Sequence, residues 1–348
     1  MNPEDIGVTV GGAIKSEVDE RDYLHEEIAY GTAPFDWNTG IDSIALTIKN
    51  QGQSGSCGGQ AESYLGAIYF PDEDKSAKFT YAPVAQPGGG SVGRCLADRS
   101  CNTGWGSEAL TPSYDNGQPP SEAFMERVQD ITPLATSHAV QTKAASYINV
   151  NPDIESIAQA IRDHKGVRIG ITGSNNGTWL SVLPQPPKDG EVHWYHWLAA
   201  VKAKMINGKK CIGVLNSWGT SVGDNGLQWI SEDYFNQVLT NDPHGTSPIW
   251  EAWSYIVATT PPPTVFKHTF NTDMQYLDTG PEVQLLQTAL QIDGEFPTTV
   301  HTSMFYGPLT LASVRKFQDK YAIASIGMPG YGRCGPKTRA KLNELYQQ

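Results

Sequence analysis

Cys57 follows the turn Gln51-Gly-Gln-Ser-Gly-Ser56 and opens a segment rich in helix formers, Gln60 to Phe70. A thiol at a helix start faces unpaired backbone N–H groups and the positive end of the helix dipole, and both favour the reactive thiolate. Gln51, six residues earlier, supplies an amide that can donate to a developing oxyanion. A cysteine nucleophile also needs a base to take its proton and return it to the leaving amine, and histidine titrates in the right range. Of eight histidines, His138, His164, His193 and His196 are candidates by context, but only His196 begins an apolar strand-like run, His196-Trp-Leu-Ala-Ala-Val201. Its ring therefore projects from a rigid element, and His193, three residues earlier, points to the opposite face if the strand extends that far. Twenty residues after His196 stands Asn216, in Val214-Leu-Asn-Ser-Trp-Gly219. Its side-chain oxygen can accept from an imidazole and hold the tautomer, and Trp218 can keep water off that bond. Each feature alone has an ordinary reading, a buried free cysteine in a small-residue turn or a satisfied core histidine. Taken together they form a Cys-His-Asn set suited to acyl transfer.

These residues need elements to hold them. An apolar strand-like segment, Ile44 to Ile48, leads into the Gly/Ser turn before Cys57. Gln86-Pro-Gly-Gly-Gly-Ser91 is too glycine-rich for a helix; it is a loop, or a place where Gly88, Gly89 and Gly90 let backbone approach a ligand closely. A turn-rich block, Leu110 to Pro120, precedes a helical pattern from Ser121 to about Val128. Ile154 to His164 reads as a helix with Ile154, Ile157, Ala158 and Ile161 on one face, and Val167 to Thr172 as an alternating strand. Further strands are expected at Trp194–Val201, Cys211–Leu215, Leu227–Ile230 and Trp253–Ala258. Helices in the first half and strands in the second indicate an α+β fold with a helical lobe and a β-rich lobe.

The ends differ from this middle. Residues 1–33 are polar and acidic and read as an arm laid on the surface. Thr259-Thr-Pro-Pro-Pro-Thr264 marks a stiff linker, spanning 259–266, between a domain at 34–258 and a module at 267–348. Within that module Val283, Leu286 and Leu290, then Val314 and Phe317, then Arg339 to Tyr346 outline three short helices.

The totals exclude several classes. A net charge of −12 and a pI near 5.1 leave no basic surplus for nucleic acid. No run of 18 apolar residues is present to span a membrane, and the acidic N-terminus lacks the apolar core of a signal peptide. The five cysteines, Cys57, Cys95, Cys101, Cys211 and Cys334, match no zinc pattern, so neither a metal nor another cofactor is expected. Cys95 and Cys101 are spaced for a local disulfide in an oxidising compartment.

Asn50-Gln-Gly-x-x-Gly-Ser-Cys57, His196-Trp-Leu-Ala-Ala-Val and Asn216-Ser-Trp-Gly-Thr-Ser-Val-Gly-Asp-Asn-Gly226 resemble the three motifs of the papain family of cysteine peptidases. The 139 residues between Cys57 and His196 fall within the roughly 130–150 usual there. The resemblance implies a two-lobed fold over residues 34–258 and an endopeptidase acting on polypeptides. Cys57 would be the nucleophile, His196 the base and acid, Asn216 the orienting residue with Trp218 in support, Gln51 the oxyanion donor, and Gly88 to Gly90 the edge that pairs with substrate backbone. Ser54 stands where such enzymes carry a disulfide cysteine and Gly58 where an aromatic follows the nucleophile, which implies a missing staple and less packing beside the thiol. Gly280-Pro-Glu-Val-Gln-Leu-Leu-Gln, Tyr306-Gly-Pro-Leu-Thr and Cys334-Gly-Pro-Lys-Thr resemble the small three-helix peptidoglycan-binding domain, making the bacterial wall an expected partner. That pairing leaves two alternatives to a protein-cleaving enzyme: a hydrolase of peptidoglycan stem peptides, or a non-catalytic wall-binding or virion protein. The setting expected is the cell envelope, the extracellular space or a phage particle.

Overall fold

Strand-like runs in the second half assemble into one six-stranded sheet: β3 (Ser146–Asn149), β4 (Val167–Ser174), β5 (His193–Ile206), β6 (Lys209–Leu215), β7 (Leu227–Ser231) and β8 (Ile249–Ile256). Their order across the sheet is β3-β8-β4-β5-β6-β7, and β4, β5, β6 and β7 pair antiparallel in sequence. The computed structural model that shows this describes residues 1–17, 19, 25, 33–42, 46–257, 266–297 and 302–347. These divide into two compact units, Met1–Glu20 with Pro34–Tyr255, and Arg21–Ala33 with Ile256–Gln348.

In the first unit a long helix, α1 (Cys57–Tyr69), packs against β4 and β5. Three glycines within it oppose helix formation by propensity. Packing overrides that cost: a Cβ on Gly59 would lie 2.6 Å from the Ala77 carbonyl oxygen, and one on Gly66 2.5 Å from the Trp105 ring. The same helix buries Glu62 completely, where its carboxylate accepts from Arg168 of β4, Ser100, Trp105 and Tyr255. This explains why β4, alternating in sequence, is buried at all eight positions. Arg168 lies under α1, which covers a face the alternation had left to solvent. The helix Ile154–His164 adds Ile157, Ala158 and Ile161 to the sheet core, as its periodicity predicts.

Four expectations change. The supposed strand at Ile44–Ile48 has residues 43–45 outside the described set, and 46–48 form no strand. The pattern from Ser121 to Val128 yields only the short helix Glu122–Met125 and a separate 3-10 turn, Val128–Asp130. The last strand starts at Ile249, four residues before the expected Trp253. Cys95 and Cys101 are both free on the helix Gly93–Thr103, where a six-residue separation rises about 9 Å, too far for a disulfide.

Residues 1–17 do not lie as a polar arm on the surface. Pro3, Val8, Gly12 and Ala13 are buried. β1 (Ala13–Ile14) pairs in parallel with β2 (Ser91–Val92), directly after the glycine run.

The second unit contains three helices, Pro281–Asp293, Pro308–Lys320 and Pro336–Tyr346. Each begins with proline at its first turn behind a glycine cap, the position where a missing N–H costs nothing. Val283, Leu286, Leu290, Val314, Phe317 and Leu342 form its interior. The proline-rich stretch 259–264 lies outside the described residues.

Candidate active site

Cys57 is the first residue of α1 and is fully buried. The backbone N–H groups of Trp197 and Gly58 stabilise its thiolate, which places the sulfur against the strand that carries His196. Gly58 does not leave a hole beside it: a Cβ there would meet Ser91 Oγ at 2.4 Å, Leu96 at 2.5 Å and Trp197 at 3.1 Å. The volume of an aromatic after the nucleophile is thus filled from neighbouring elements.

His196 sits in β5 opposite Ile171 of β4 and is fully buried. Leu215 pairs with Ala199, so the chain leaving β6 returns alongside His196 as Asn216, Ser217 and Trp218. His196 Nε2 bonds Asn216 Oδ1 at 2.9 Å, while His196 Nδ1 has no hydrogen-bond partner. The Trp218 ring lies 4.8 Å from the imidazole and Trp194 packs beyond it, so the His196–Asn216 bond is sheltered from water. His193, the other histidine on this strand, binds the Lys188 carbonyl and Asp242 away from this cluster. His138 pairs with Glu73 instead, and the His164 carbonyl accepts from Tyr69.

Gln51 is buried in the turn before α1. Its Oε1 accepts from Ser217 Oγ at 2.6 Å, which turns Nε2 the other way. Nε2 donates to Ser54 O at 2.9 Å and to Thr9 O, in the N-terminal arm, at 3.0 Å. Gly88, Gly89 and Gly90 all have φ near +90°, and Gly90 leads into the edge to which β1 is added, where Ser91 N–H donates to Gly12 O at 2.9 Å. The arm continues past the thiol itself. A Cβ on Gly12 would lie 2.1 Å from the Gly55 carbonyl oxygen and 2.9 Å from Cys57 Sγ, so only glycine fits. Thr9 N–H and Gly11 N–H bond the carbonyls of Gly52 and Tyr195, and Ser16 bonds Glu251 through both N–H and Oγ.

Burial sets the electrostatics of both groups. Burial pushes the Cys57 thiol up to about 12, against the smaller help of the Trp197 and Gly58 N–H groups. Burial takes His196 down to about 4, against the bond to Asn216. Burial thus favours the neutral form of both groups.

Several participants escaped the sequence reading. Glu122 accepts from Gly55 N–H at 2.5 Å and from the Tyr81 hydroxyl, which in turn accepts from Gly90 N–H at 2.8 Å. This carboxylate–phenol pair ties the nucleophile turn to the glycine run, the job left open by Ser54, whose own hydroxyl instead bonds Gln51 O and Ser56 Oγ. Ser217 and Gln228 are also new, since nothing in a lone serine or a strand glutamine marks either as part of a site. Among the described residues no group of three His, Cys, Asp or Glu side chains converges as a metal site would require, and no helix is long and apolar enough to cross a membrane.

A family model described as papain family cysteine protease matches residues 32–243. The chain belongs to the papain family. It is a cysteine protease of papain-like fold, and the fold likeness extends to solved structures. Xylellain, a cysteine protease from Xylella fastidiosa, superposes with a TM-score of 0.58 at 18% identity, over 72% of this chain and 97% of its own. The ragweed pollen allergen Amb a 11, a cysteine protease in its proform, gives 0.49 at 19% identity over 66% and 68% of the two chains. Digestive procathepsin L 3 of Tenebrio molitor gives 0.49 at 15% identity over 73% and 79%. A comparison with curated protein sequences finds no match.

Proposed function

We propose that this papain-family chain is an endopeptidase in which Cys57 is the nucleophile, His196 the base and acid, Asn216 the orienting group, and Gln51 with the Cys57 N–H the oxyanion donors. The observation that carries this reading is the His196 Nε2–Asn216 Oδ1 bond of 2.9 Å, which leaves Nδ1 bare on the strand whose next N–H faces the thiol. His196 Nδ1 takes the thiol proton, and Cys57 Sγ adds to the scissile carbonyl carbon. The oxyanion accepts from Gln51 Nε2–H and the Cys57 N–H. Collapse breaks the C–N bond, the amine leaves with the proton from Nδ1, and water hydrolyses the thioester with His196 as base. Gly90 and Ser91 offer a backbone edge to the substrate, the use to which the arm already puts it.

The enzyme is latent while residues 9–14 occupy the cleft. Gln51 Nε2 is engaged by Thr9 O, Gly12 abuts the sulfur, and burial keeps both reacting groups uncharged. Displacing the arm readmits water, restores the Cys57–His196 ion pair and frees the oxyanion donor.

The second unit acts as a wall-binding module in this reading. Its support is the recurrence of Gly-Pro-x-Thr at Gly307 and Gly335, helix starts of one small unit. A groove of about 340 Å³ near the third helix, lined by Ile323, Met328, Arg333 and Lys337 among others, could seat part of such a ligand. The substrate is a polypeptide.

A peptide-library cleavage profile tests the set, comparing the full chain, a chain lacking residues 1–17 and Cys57→Ala, with casein and purified peptidoglycan as parallel substrates. Casein cleavage that rises on removing the arm and vanishes in Cys57→Ala is expected. Full activity in Cys57→Ala would overturn the assignment, and new amino groups released from peptidoglycan but not from casein would move the substrate to stem peptides. Failure of the full chain to sediment with purified peptidoglycan would remove the wall-binding role.

A further inference from the structure

The amide of Asn216 has two chemically different ends, and only one of them serves His196. Asn216 Oδ1 accepts from His196 Nε2 and, at 2.7 Å, from Ser217 N–H. Its other end, Nδ2, donates to Gln228 Oε1 at 2.7 Å. Gln228 lies in β7 and is fully buried, and its own Nε2 donates to two main-chain carbonyls, Trp179 O at 2.7 Å and Ser181 O at 2.9 Å.

A carbonyl oxygen can only accept, so the Trp179 and Ser181 carbonyls require the NH2 of Gln228 on their side. Gln228 must then present oxygen to Asn216. Asn216 must answer with its NH2, which leaves Oδ1 toward the imidazole. Nε2 of His196 must therefore carry the proton, and Nδ1 is left as the acceptor, unpartnered as observed. Reversing any amide in this chain would set two donors or two acceptors against each other without water, a conflict expensive in a buried site.

The anchor is itself rigid. Trp179, whose carbonyl Gln228 binds, packs its ring 4.8 Å from Trp194, 5.9 Å from Trp218 and 6.0 Å from Tyr234. The adjoining segment is pinned to β7 by Trp229 N–H on Val182 O at 2.8 Å and to the loop before β7 by Gly223 N–H on Leu180 O at 3.0 Å.

We infer that Gln228 is a positioning residue of this protease: by offering only an oxygen to Asn216 Nδ2, it fixes the asparagine amide so that Oδ1 faces His196 and the imidazole holds its proton on Nε2. Gln228 touches neither substrate nor the reacting atoms and acts entirely through Asn216. The inference rests on the roles proposed above for His196 and Asn216.

Two readouts on the full chain test it. The first needs no turnover: in ¹⁵N-histidine-labelled protein at pH 7, with His196→Ala giving the assignment, the wild type shows His196 as the Nε2–H tautomer. Gln228→Met, unbranched and close in volume, should show a mixture of tautomers. The second is a double-mutant cycle under conditions in which the wild type cleaves peptide. Gln228→Met should lower kcat about tenfold with KM nearly unchanged, yet change kcat less than about twofold when added to Asn216→Ala.

A wild-type tautomer and kcat in Gln228→Met would overturn the inference. So would an equal loss in the Asn216→Ala background, the mark of a merely structural role. Should the Met variant not fold, Gln228→Leu, which also removes the oxygen offered to Asn216 Nδ2, takes its place, and failure of both to fold would make Gln228 an element of the fold and overturn the proposal. A wild type that cleaves nothing under any condition would defeat the catalytic assignment, while the tautomer measurement would still decide the role of Gln228.

Discussion

Buried glutamines do similar chemistry in both units of this protein to different ends. In the second unit Gln287 Nε2 donates to Thr310 Oγ1 and Phe305 O while its Oε1 accepts from Ser303 N–H. Gln318 repeats the pattern one helix later, with Thr338 Oγ1, Gly330 O and Arg333 O as acceptors and Gly332 N–H as donor. Each amide thereby fastens a loop to the start of the next helix, and every partner belongs to the scaffold. In the first unit Gln228 anchors the same way to two carbonyls, but its free end meets Asn216, and Gln51 meets Ser217. The difference lies in what the last partner does. The amides of the second unit end on main chain and on helix-start threonines and hold the fold together, whereas Gln228 ends on Asn216, a residue of the proposed catalytic set.

That contrast can be broken or sharpened by measurement. The largest effect is expected at His196→Ala, which removes the proposed base: peptide hydrolysis by the arm-free chain should fall by roughly 10³-fold or more. A loss under tenfold would show that the site is organised around another group. Gln51→Ala follows, at about 10²–10³-fold in kcat for loss of the proposed oxyanion donor, read from single-turnover kinetics. Unchanged kcat would return Gln51 to the purely structural class.

Next comes the arm. Gly12→Val cannot fit beside Cys57 Sγ and Gly55 O, so it should expel the arm and raise the rate of Cys57 alkylation by iodoacetamide at least about tenfold, measured by peptide mass mapping. An unchanged rate would mean that Gly12 does not guard the thiol.

Acidity should report the same burial. His196 lies at about 4 when folded against its ordinary 6.5, so between those values the unfolded chain binds the extra proton. Stability is therefore present above about 6.5 and lost as pH falls toward about 4. For Cys57, raised from 9.0 to about 12, it is lost as pH rises through that interval, because the exposed thiol ionises first. Urea midpoints at pH 7 and 5 check the acid side, and a wild-type pH dependence persisting in His196→Gln would refute the assignment to His196.

Smallest for catalysis is Gln318→Leu, which leaves the buried Gly332 N–H of the second unit without its acceptor and the Gly330 and Arg333 carbonyls without their donor. It should cost about 1–3 kcal/mol of stability, seen in thermal melts, and leave kcat on a short peptide unchanged. A fall in kcat would dissolve the distinction between the two kinds of glutamine.

The amino-acid sequence by itself carried the motifs of the papain family and most of the regular structure. The cysteine at a helix start, the histidine at the beginning of an apolar strand and the asparagine before Trp218 are local patterns, and local patterns fix helix starts, strands and residue types. The sheet-facing side of Ile154–His164 and the helix starts after Gly307 and Gly335 were legible for the same reason. Only the tertiary structure decided what depends on residues far apart in sequence meeting without water. The polar arm reads as a layer on the surface until Gly12 is seen against Cys57 and Thr9 O against Gln51. Glu122 and Tyr81 acquire their role only where the nucleophile turn meets the glycine run. Which way the amide of Asn216 faces is set by Gln228 and the carbonyls behind it. A sequence specifies which groups can donate and accept, but the direction of each buried bond follows from the partners that folding leaves within reach.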